Sequence, residues 1–405
     1  EHTASTLFSW FWSARLQCQL ALIVVVAIIA AGLGLRGPWP TEIAAQPIEP
    51  AFAILWVAGG ACALGAAATA SRQRLAALIM VSGAGLCASL TFAWLSAPDL
   101  ALTQLAVETV TTILLLLGLR WLPRRIERGS ARSIPRGAPA LLLAAAGGTG
   151  LAVLAYVIMT QPPVRGVASY FTEHALTLGG GRNIVNVILV DFRGFDTLGE
   201  ITVLGAVAIA VYALLRRFRP APESLELPAA APGAPDHPHP GRNATAGGRA
   251  RPSVSAVLTQ LMLPATGLIS VYFLVRGHDL PGGGFVGGLI FATAIVIQYL
   301  MVGVAGVESR RRLQPQYWVA AGLLVAGTTA LSAWWAARPL LSASTWTLTI
   351  PHIGGVQFST ALFFDTGVYM LVIGATMLML VAIAHQSLRF HRHRAPKPVA
   401  ASEKP

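Results

Sequence analysis

Ten apolar runs punctuate the chain, at residues 17–36, 51–70, 75–95, 98–122, 138–160, 197–215, 255–275, 283–304, 317–336 and 360–386. Each is close to the length a helix needs to cross a bilayer. Within hydrocarbon a backbone must satisfy its own N–H and C=O groups, so runs of this length predict helices rather than open sheet. With 55% hydrophobic and only 11% charged residues, one soluble core cannot hide the apolar surface. The fold class expected is an all-α polytopic membrane protein of about ten transmembrane helices, six plus four.

The net charge of +12 raises the question of nucleic acid, but its placement argues against it. The arginines lie in short segments between apolar runs, and aromatic-interleaved basic patches are absent. With the N-terminus placed in the cytoplasm, the outer segments hold only Arg36, Arg165, Arg182, Arg193, Arg276 and Arg338 of 29 basic residues, which is the positive-inside pattern. Both termini are therefore expected to be cytoplasmic. The basic loop 123–136 reads as a topogenic, headgroup-contacting segment, as do His385, His391 and His393 near the inner end. Cys18, Cys62 and Cys87 each sit alone in an apolar stretch, so packing is their expected role and no metal site is expected.

The run at 98–122 carries the most telling residue. Pro98 suits a first helical turn, and Asp99 lies where the helix dipole favours an anion. Glu108 falls near the middle, where a carboxylate costs about 2.5–3.5 kcal/mol on insertion scales. Gln104, Thr111 and Thr112 lie at i−4, i+3 and i+4 from it, so a polar stripe shares its face. Such a stripe facing lipid would leave its groups unsatisfied. An interhelical hydrogen bond and an ion or proton site are the two readings that remain, and the second fits better.

Residues 161–182 are long and mixed; Val167, Tyr170, Phe171 and Ala175 define one face of an interfacial helix, with Glu173 and His174 toward water. In NIVNVILVDFRGFDTLGEITVLG (183–205) a short apolar helix meets a charged break, Asp191, Arg193 and Asp196, before a spanning helix that carries Glu200. This is the pattern of a broken helix or of an ordinary interfacial loop. Glu200, expected to be the deepest, is the functional candidate. Residues 216–254 are rich in Pro, Ala and Gly and read as a disordered cytoplasmic linker. His237 and His239 within it do not make a metal site, and the sequon at Asn243 lies on the wrong side for glycosylation.

Beyond the linker, GHDLPGGGFVGGLI lacks the lysine and preceding strand of a phosphate loop. Its glycines instead give the small-residue pairs Gly283/Gly287 and Gly284/Gly288 for close helix packing. His278 beside Asp279 forms either a pH-sensitive pair or a hydrogen-bonded turn. Asp365 sits about one turn inside the last run, with Thr366 and Tyr369 close by.

Three stretches together, SAPDLALTQLAVETVTTILLLLGLRWLPRR, NIVNVILVDFRGFDTLGEITVLG and GHDLPGGGFVGGLI with LFFDTGVY, resemble the Mrp-type (Mnh/Pha) multisubunit Na⁺/H⁺ antiporter. The first two resemble the C-terminal part of its A subunit and the last its B subunit, fused through the linker. The resemblance implies an inner-membrane complex that exchanges cytoplasmic Na⁺ (sometimes K⁺ or Li⁺) for external protons. The family is related to the membrane arms of complex I and membrane-bound hydrogenases. It implies other antiporter subunits and membrane lipid as partners, no nucleic acid, no cofactor beyond the transported Na⁺ and H⁺, and a transporter rather than an enzyme.

On this reading residues 1–36 end the A-subunit antiporter module and 37–215 form its C-terminal membrane domain. The linker 216–254, a B-like four-helix domain at 255–390 and a basic tail at 391–405 follow. Lys397 and Lys404 are the only lysines, so the family's lysine-bearing module is absent from this stretch, and the opening at Glu1 is read as that of a fragment. Glu108 is the expected principal protonatable group. Glu200 and Asp191 continue a polar route, with Asp196 beside them, and Asp99 serves its mouth. Asp365, His278 and Asp279 are the candidates in the second half. The competing readings are a structural module that docks the antiporter core to small subunits, and the equivalent subunit of a complex-I/hydrogenase-like membrane arm.

Overall fold

A computed structural model describes residues 16–34, 49–70, 72–119, 134–160, 166–217, 254–302, 314–350 and 354–394. Residues 218–253 of the linker, most of the basic loop 123–136, His237, His239 and the sequon at Asn243 lie outside the described residues. So do most of the outer segment 37–50 and the tail lysines. The helices are α1 (Leu16–Gly34), α2 (Pro50–Thr69), α3 (Arg74–Trp94), α4 (Pro98–Leu119), α5 (Ile134–Thr160), α6 (Val167–His174), α7 (Ile184–Val187), α8 (Gly194–Arg217), α9 (Val254–Arg276), α10 (Gly284–Val302), α11 (Pro315–Trp335) and α12 (Thr360–Arg394).

Each apolar run coincides with one long helix. Among the described residues α2, α3, α4, α8, α9, α10, α11 and α12 are long and apolar enough to cross a membrane. The apolar stretches of α1 and α5, Cys18–Leu33 and Leu141–Tyr156, are shorter. The fold is that of an all-α polytopic membrane protein. Proline opens α2, α4 and α11, where its missing N–H removes no helical bond.

Hydropathy predicts a loop ahead of α12, and here the structure differs. Residues Thr345–Ile350 (β1) and Gly354–Ser359 (β2) form an antiparallel hairpin, with Thr345 opposite Ser359 and Ile350 opposite Gly354. The hairpin runs straight into α12. Ser344 N–H donates to Thr360 Oγ1 at 2.9 Å, and Thr360 N–H returns a bond to Ser344 O at 3.0 Å. The alternation Thr–Trp–Thr–Leu–Thr–Ile is the strand signal that a search for apolar runs passes over.

The chain divides into two compact units. One holds α1 and α5, where Val24 packs against Gly147. The other holds the remaining elements, and in it α12 is the hub. Its window Thr360–Ile383 is 72% buried, against 6% for Pro50–Thr69 of α2. Val368, Leu371, Val372 and Ala375 of α12 join a core with Val110 of α4, Ile201 and Ala208 of α8, and Val319 and Ala326 of α11. Another face, with Ile373, Met377 and Leu380, packs on Ile295, Val296 and Tyr299 of α10. Lipid chains are as apolar as leucine, so close helix contact comes from small residues. Gly322 of α11 meets the backbone of α12 at Gly367 and Leu371. Gly287 meets Ser270 of α9, and Gly288 meets Tyr369 and Val372 of α12, so α10 is gripped on two sides. Cys62 and Cys87 fill the space beside Gly83 and Gly59 between α2 and α3.

Candidate functional site

α7 passes at Ile188 into a π-helical turn, Ile188–Phe192, which Arg193 closes by donating its N–H to Ile188 O at 2.7 Å. Such turns interrupt the regular ladder and re-aim side chains. Thr197 Oγ1 ties α8 back to the turn through Leu189 O at 2.7 Å. The segment ahead of it is stitched to the α9–α10 turn. Asn183 Nδ2 donates to Gly277 O at 3.0 Å and Leu280 O at 3.1 Å, and Asn183 N–H to His278 O at 3.0 Å. The Asn183 side chain also caps α7, accepting from Asn186 N–H.

These elements, with α4 and α12, enclose a cavity of about 650 Å³ lined by Asp99, Gln104, Asn186, Glu200, Gly283 and Asp365 among others. Asp365 is the most deeply placed of its carboxylates, with 7% of its surface exposed. It accepts from Asn186 Nδ2 at 3.3 Å and from the N–H of Gly284. Gly283 has φ +106, and a Cβ there would press on both Asn186 and Asp365. Glycine is needed for conformation and for space alike. Asp99 is half-buried and accepts from Gly282 N–H at 2.8 Å and from the Asn183 side chain. Glu200 reaches the cavity but is exposed on this chain, and of the four charged residues in its segment Asp191 rather than Glu200 is half-buried.

The other sequence candidates lie elsewhere. Glu108 is half-buried and faces α3, its carboxylate filling the space left by Gly85. Thr112 Oγ1 donates to it at 3.4 Å and lies 2.6 Å from Ser82 Oγ. The polar stripe therefore divides, with Gln104 on the cavity and Glu108 and Thr112 on the α3 contact, while Thr111 is exposed. Asp191 accepts from Ala343 N–H at 2.8 Å. Burial pushes its carboxyl above the usual range, against the opposing pull of that bond and of the nearby His278. Asp196 pairs with Arg193 in an exposed ion pair. Asp279 accepts from Arg182 N–H at 3.3 Å and lines a separate cavity of about 710 Å³ among the loops. His278 places Nδ1 3.2 Å from Asn186 Oδ1 and Nε2 3.0 Å from Gly179 O. On α6 the expected apolar face is only partly covered: Ala175 is buried and Phe171 packs on Phe192, while Val167 and Tyr170 are exposed.

Sequence reasoning missed Asn183 and Asn186. Their signal was two asparagines three residues apart at the start of an apolar helix, where an uncompensated amide would be costly. It also missed Ser270, which is fully buried, donates to Gly287 O at 2.7 Å and accepts from Tyr369 Oη–H at 2.9 Å.

Comparison with known proteins accounts for most of the chain. Residues 59–124 match the MbhD subunit of MBH, 136–231 match its MbhE subunit, and 254–378 match the domain related to the MnhB subunit of Na⁺/H⁺ antiporter. The A/B subunit of a probable K⁺/H⁺ antiporter of Rhizobium meliloti is 46% identical over 96% of this chain, which spans 41% of that relative. The A subunit of the Na⁺/H⁺ antiporter of Bacillus subtilis is 39% identical over 36% of this chain and 18% of its own length. The solved Mrp complex of a Dietzia species has a chain that superposes with a TM-score of 0.76 at 28% identity, over 98% of this chain and 41% of that one. The chain thus spans less than half the length of the relatives it matches, and over that length it is similar to Mrp-type (Mnh/Pha) antiporter subunits, an A-subunit-related part joined to a B-subunit-related part.

Proposed function

We propose that this chain works within a multisubunit monovalent cation/proton antiporter, where the cavity carboxylates Asp365, Asp99 and Glu200 hold and pass protons. The observation that carries the reading is the convergence of three acids from α4, α8 and α12 on one cavity, with Asp365 buried and hydrogen-bonded. A buried carboxylate inside a membrane is costly and is characteristic of proton and ion routes. The relatives' names support exchange of Na⁺ or K⁺ for protons. The partners are other antiporter subunits and lipid, the setting is a bacterial inner membrane with both termini cytoplasmic, and the chain catalyses no covalent chemistry. In the complete complex reconstituted in vesicles, Asp365→Asn is expected to cut cation-dependent proton flux at least tenfold while assembly on a native gel survives. Flux at the wild-type rate would refute the reading.

A docking role is favoured by a separate observation. Large apolar side chains stand exposed along α2 and α3, among them Ile54, Trp56, Val57 and Ile79, a surface that lipid or another protein of the complex covers. If Glu108 serves docking, Glu108→Gln dissociates the complex; if it serves transport, the complex stays whole and loses flux.

A further inference from the structure

Both ring nitrogens of His278 face oxygen: Nε2 the carbonyl of Gly179 and Nδ1 the side-chain oxygen of Asn186. The Asn186 amide is committed at its other end, where Nδ2 donates to Asp365. A neutral imidazole has one donor and one acceptor nitrogen. With Nε2–H on Gly179, its Nδ1 lone pair would meet the lone pairs of Asn186 Oδ1. Two arrangements remove that conflict. His278 carries protons on both nitrogens, as an imidazolium donating to Gly179 and Asn186. Alternatively the amide turns over, with Nδ2 donating to Nδ1 and Oδ1 accepting from a protonated Asp365. Amide oxygen and nitrogen are close in size, so the turn needs no repacking. A neutral His278 beside an ionised Asp365 leaves one lone-pair conflict in either orientation. Asn186 and Asp365 are each only 7% exposed, so most of the partners available to them are protein groups.

We propose that Asn186 is a positioning residue that links the protonation of His278 to that of Asp365, so that the pair always keeps at least one proton. Asp365 then gives up its proton only when His278 has gained one. In that exchange the O–H bond of Asp365 breaks and an N–H bond forms at Nδ1 of His278; a neutral pair becomes an imidazolium–carboxylate pair, with total charge unchanged. The device rests on the reading above that Asp365 exchanges protons, and it adds a rule for when it does so. It joins the turn between α9 and α10 to the membrane-embedded acid without an ionisable group between them.

Other charges face the same groups. Asp191 feels the field of His278, Asp279 follows it in the chain, and Arg276 and Arg182 stand on the flanking segments. Asp99 and Glu200 line the cavity with Asp365, and Tyr369 lies one turn along α12. Each of these acts through space, whether or not residue 186 is an amide. The test uses that difference. In the intact complex with isotope-labelled histidine, the titration of His278 is followed by NMR in wild type, Asp365→Asn, Asn186→Ala and the double variant. Asp365→Asn is expected to lower the proton affinity of His278 at least tenfold when Asn186 is present and less than twofold when it is alanine. An effect of equal size in both backgrounds would assign the coupling to direct field and overturn the proposal.

If the Asn186→Ala complex does not assemble, wild type alone decides. The protonated-carboxyl infrared band of Asp365 and the imidazole signal are recorded across the pH range in which the complex is active. Neutral His278 is expected only where Asp365 is protonated; a pH with neutral His278 and ionised Asp365 would overturn the proposal. Wild-type flux in Asp365→Asn would remove the transport reading and leave this titration result standing by itself.

Discussion

Gly284→Ala is the substitution whose cost follows most fully from the packing. Gly284 opens α10 directly beneath Asp365, and an added methyl would overlap the backbone carbonyl of Asp365 and come within 2.7 Å of its Oδ1. A backbone carbonyl on a packed helix cannot swing aside as a side-chain end can, so the two helices must separate. Overpacking of that kind costs about 1–3 kcal/mol. Separation also stretches the Gly284 N–H bond to the Asp365 carboxylate, and hydrogen bonds to charged groups contribute about 1.5–3 kcal/mol. Allowing about 1 kcal/mol for the better helix propensity of alanine, the net loss is about 2–5 kcal/mol. For a unit of this size that lowers the midpoint of heat-induced disassembly by roughly 5–15 °C. The assay is native-gel survival of the purified complex after brief heating, with Gly327→Ala on α11 as control, since a Cβ at Gly327 meets nothing within 4 Å. Cation-dependent flux should fall with stability only in the first variant. Equal heat resistance in Gly284→Ala and wild type would show that α10 and α12 are not in this close contact.

If Glu108 serves transport, Glu108→Gln should abolish cation-dependent proton flux with the complex intact, whereas Gly85→Ala, whose nearest neighbours are atoms of the movable Glu108 side chain, should cost under about 1 kcal/mol and shift flux modestly; both are read in reconstituted vesicles. Asp191 is a carboxyl raised by burial, so its contribution is full below its unfolded value and is lost as pH rises through the folded one. Wild-type heat stability should therefore decline from about pH 4 upward more steeply than that of Asp191→Asn, measured as a midpoint-versus-pH profile. Ser270→Ala and Tyr369→Phe should each cost about 1 kcal/mol, and the double variant clearly less than their sum, because they share one buried bond.

Helix positions were legible because bilayer thickness and backbone self-satisfaction leave a long apolar run few alternatives. Gly284, Gly287 and Gly288 were legible for a related reason, since small residues are what let membrane helices touch, whereas Gly283 lies ahead of α10 and serves the cavity. The site was legible only in its acids. A lone carboxylate in an apolar run announces its cost, but which acids share a cavity depends on tertiary packing that no spacing encodes. Asp99 and Asp365 are 266 positions apart and meet around one glycine turn, while Glu108, only nine positions from Asp99, turns to another helix. Asn186 escaped notice because a neutral amide carries no charge signal, although burial makes its bonds as obligatory as those of an acid. The hairpin was lost because its short alternating strands sit between two runs that dominate any hydropathy reading.

At the centre of the proposed function stands a carboxylate at position 365 that changes protonation when the transported cation arrives. Infrared difference spectra of the intact complex, recorded on adding Na⁺ or K⁺, test this directly. A protonated-carboxyl band that changes with the cation in wild type and is missing from Asp365→Asn is the predicted result. A cation-dependent band that persists unaltered in that variant would place the exchanging proton elsewhere and contradict the proposed role of Asp365.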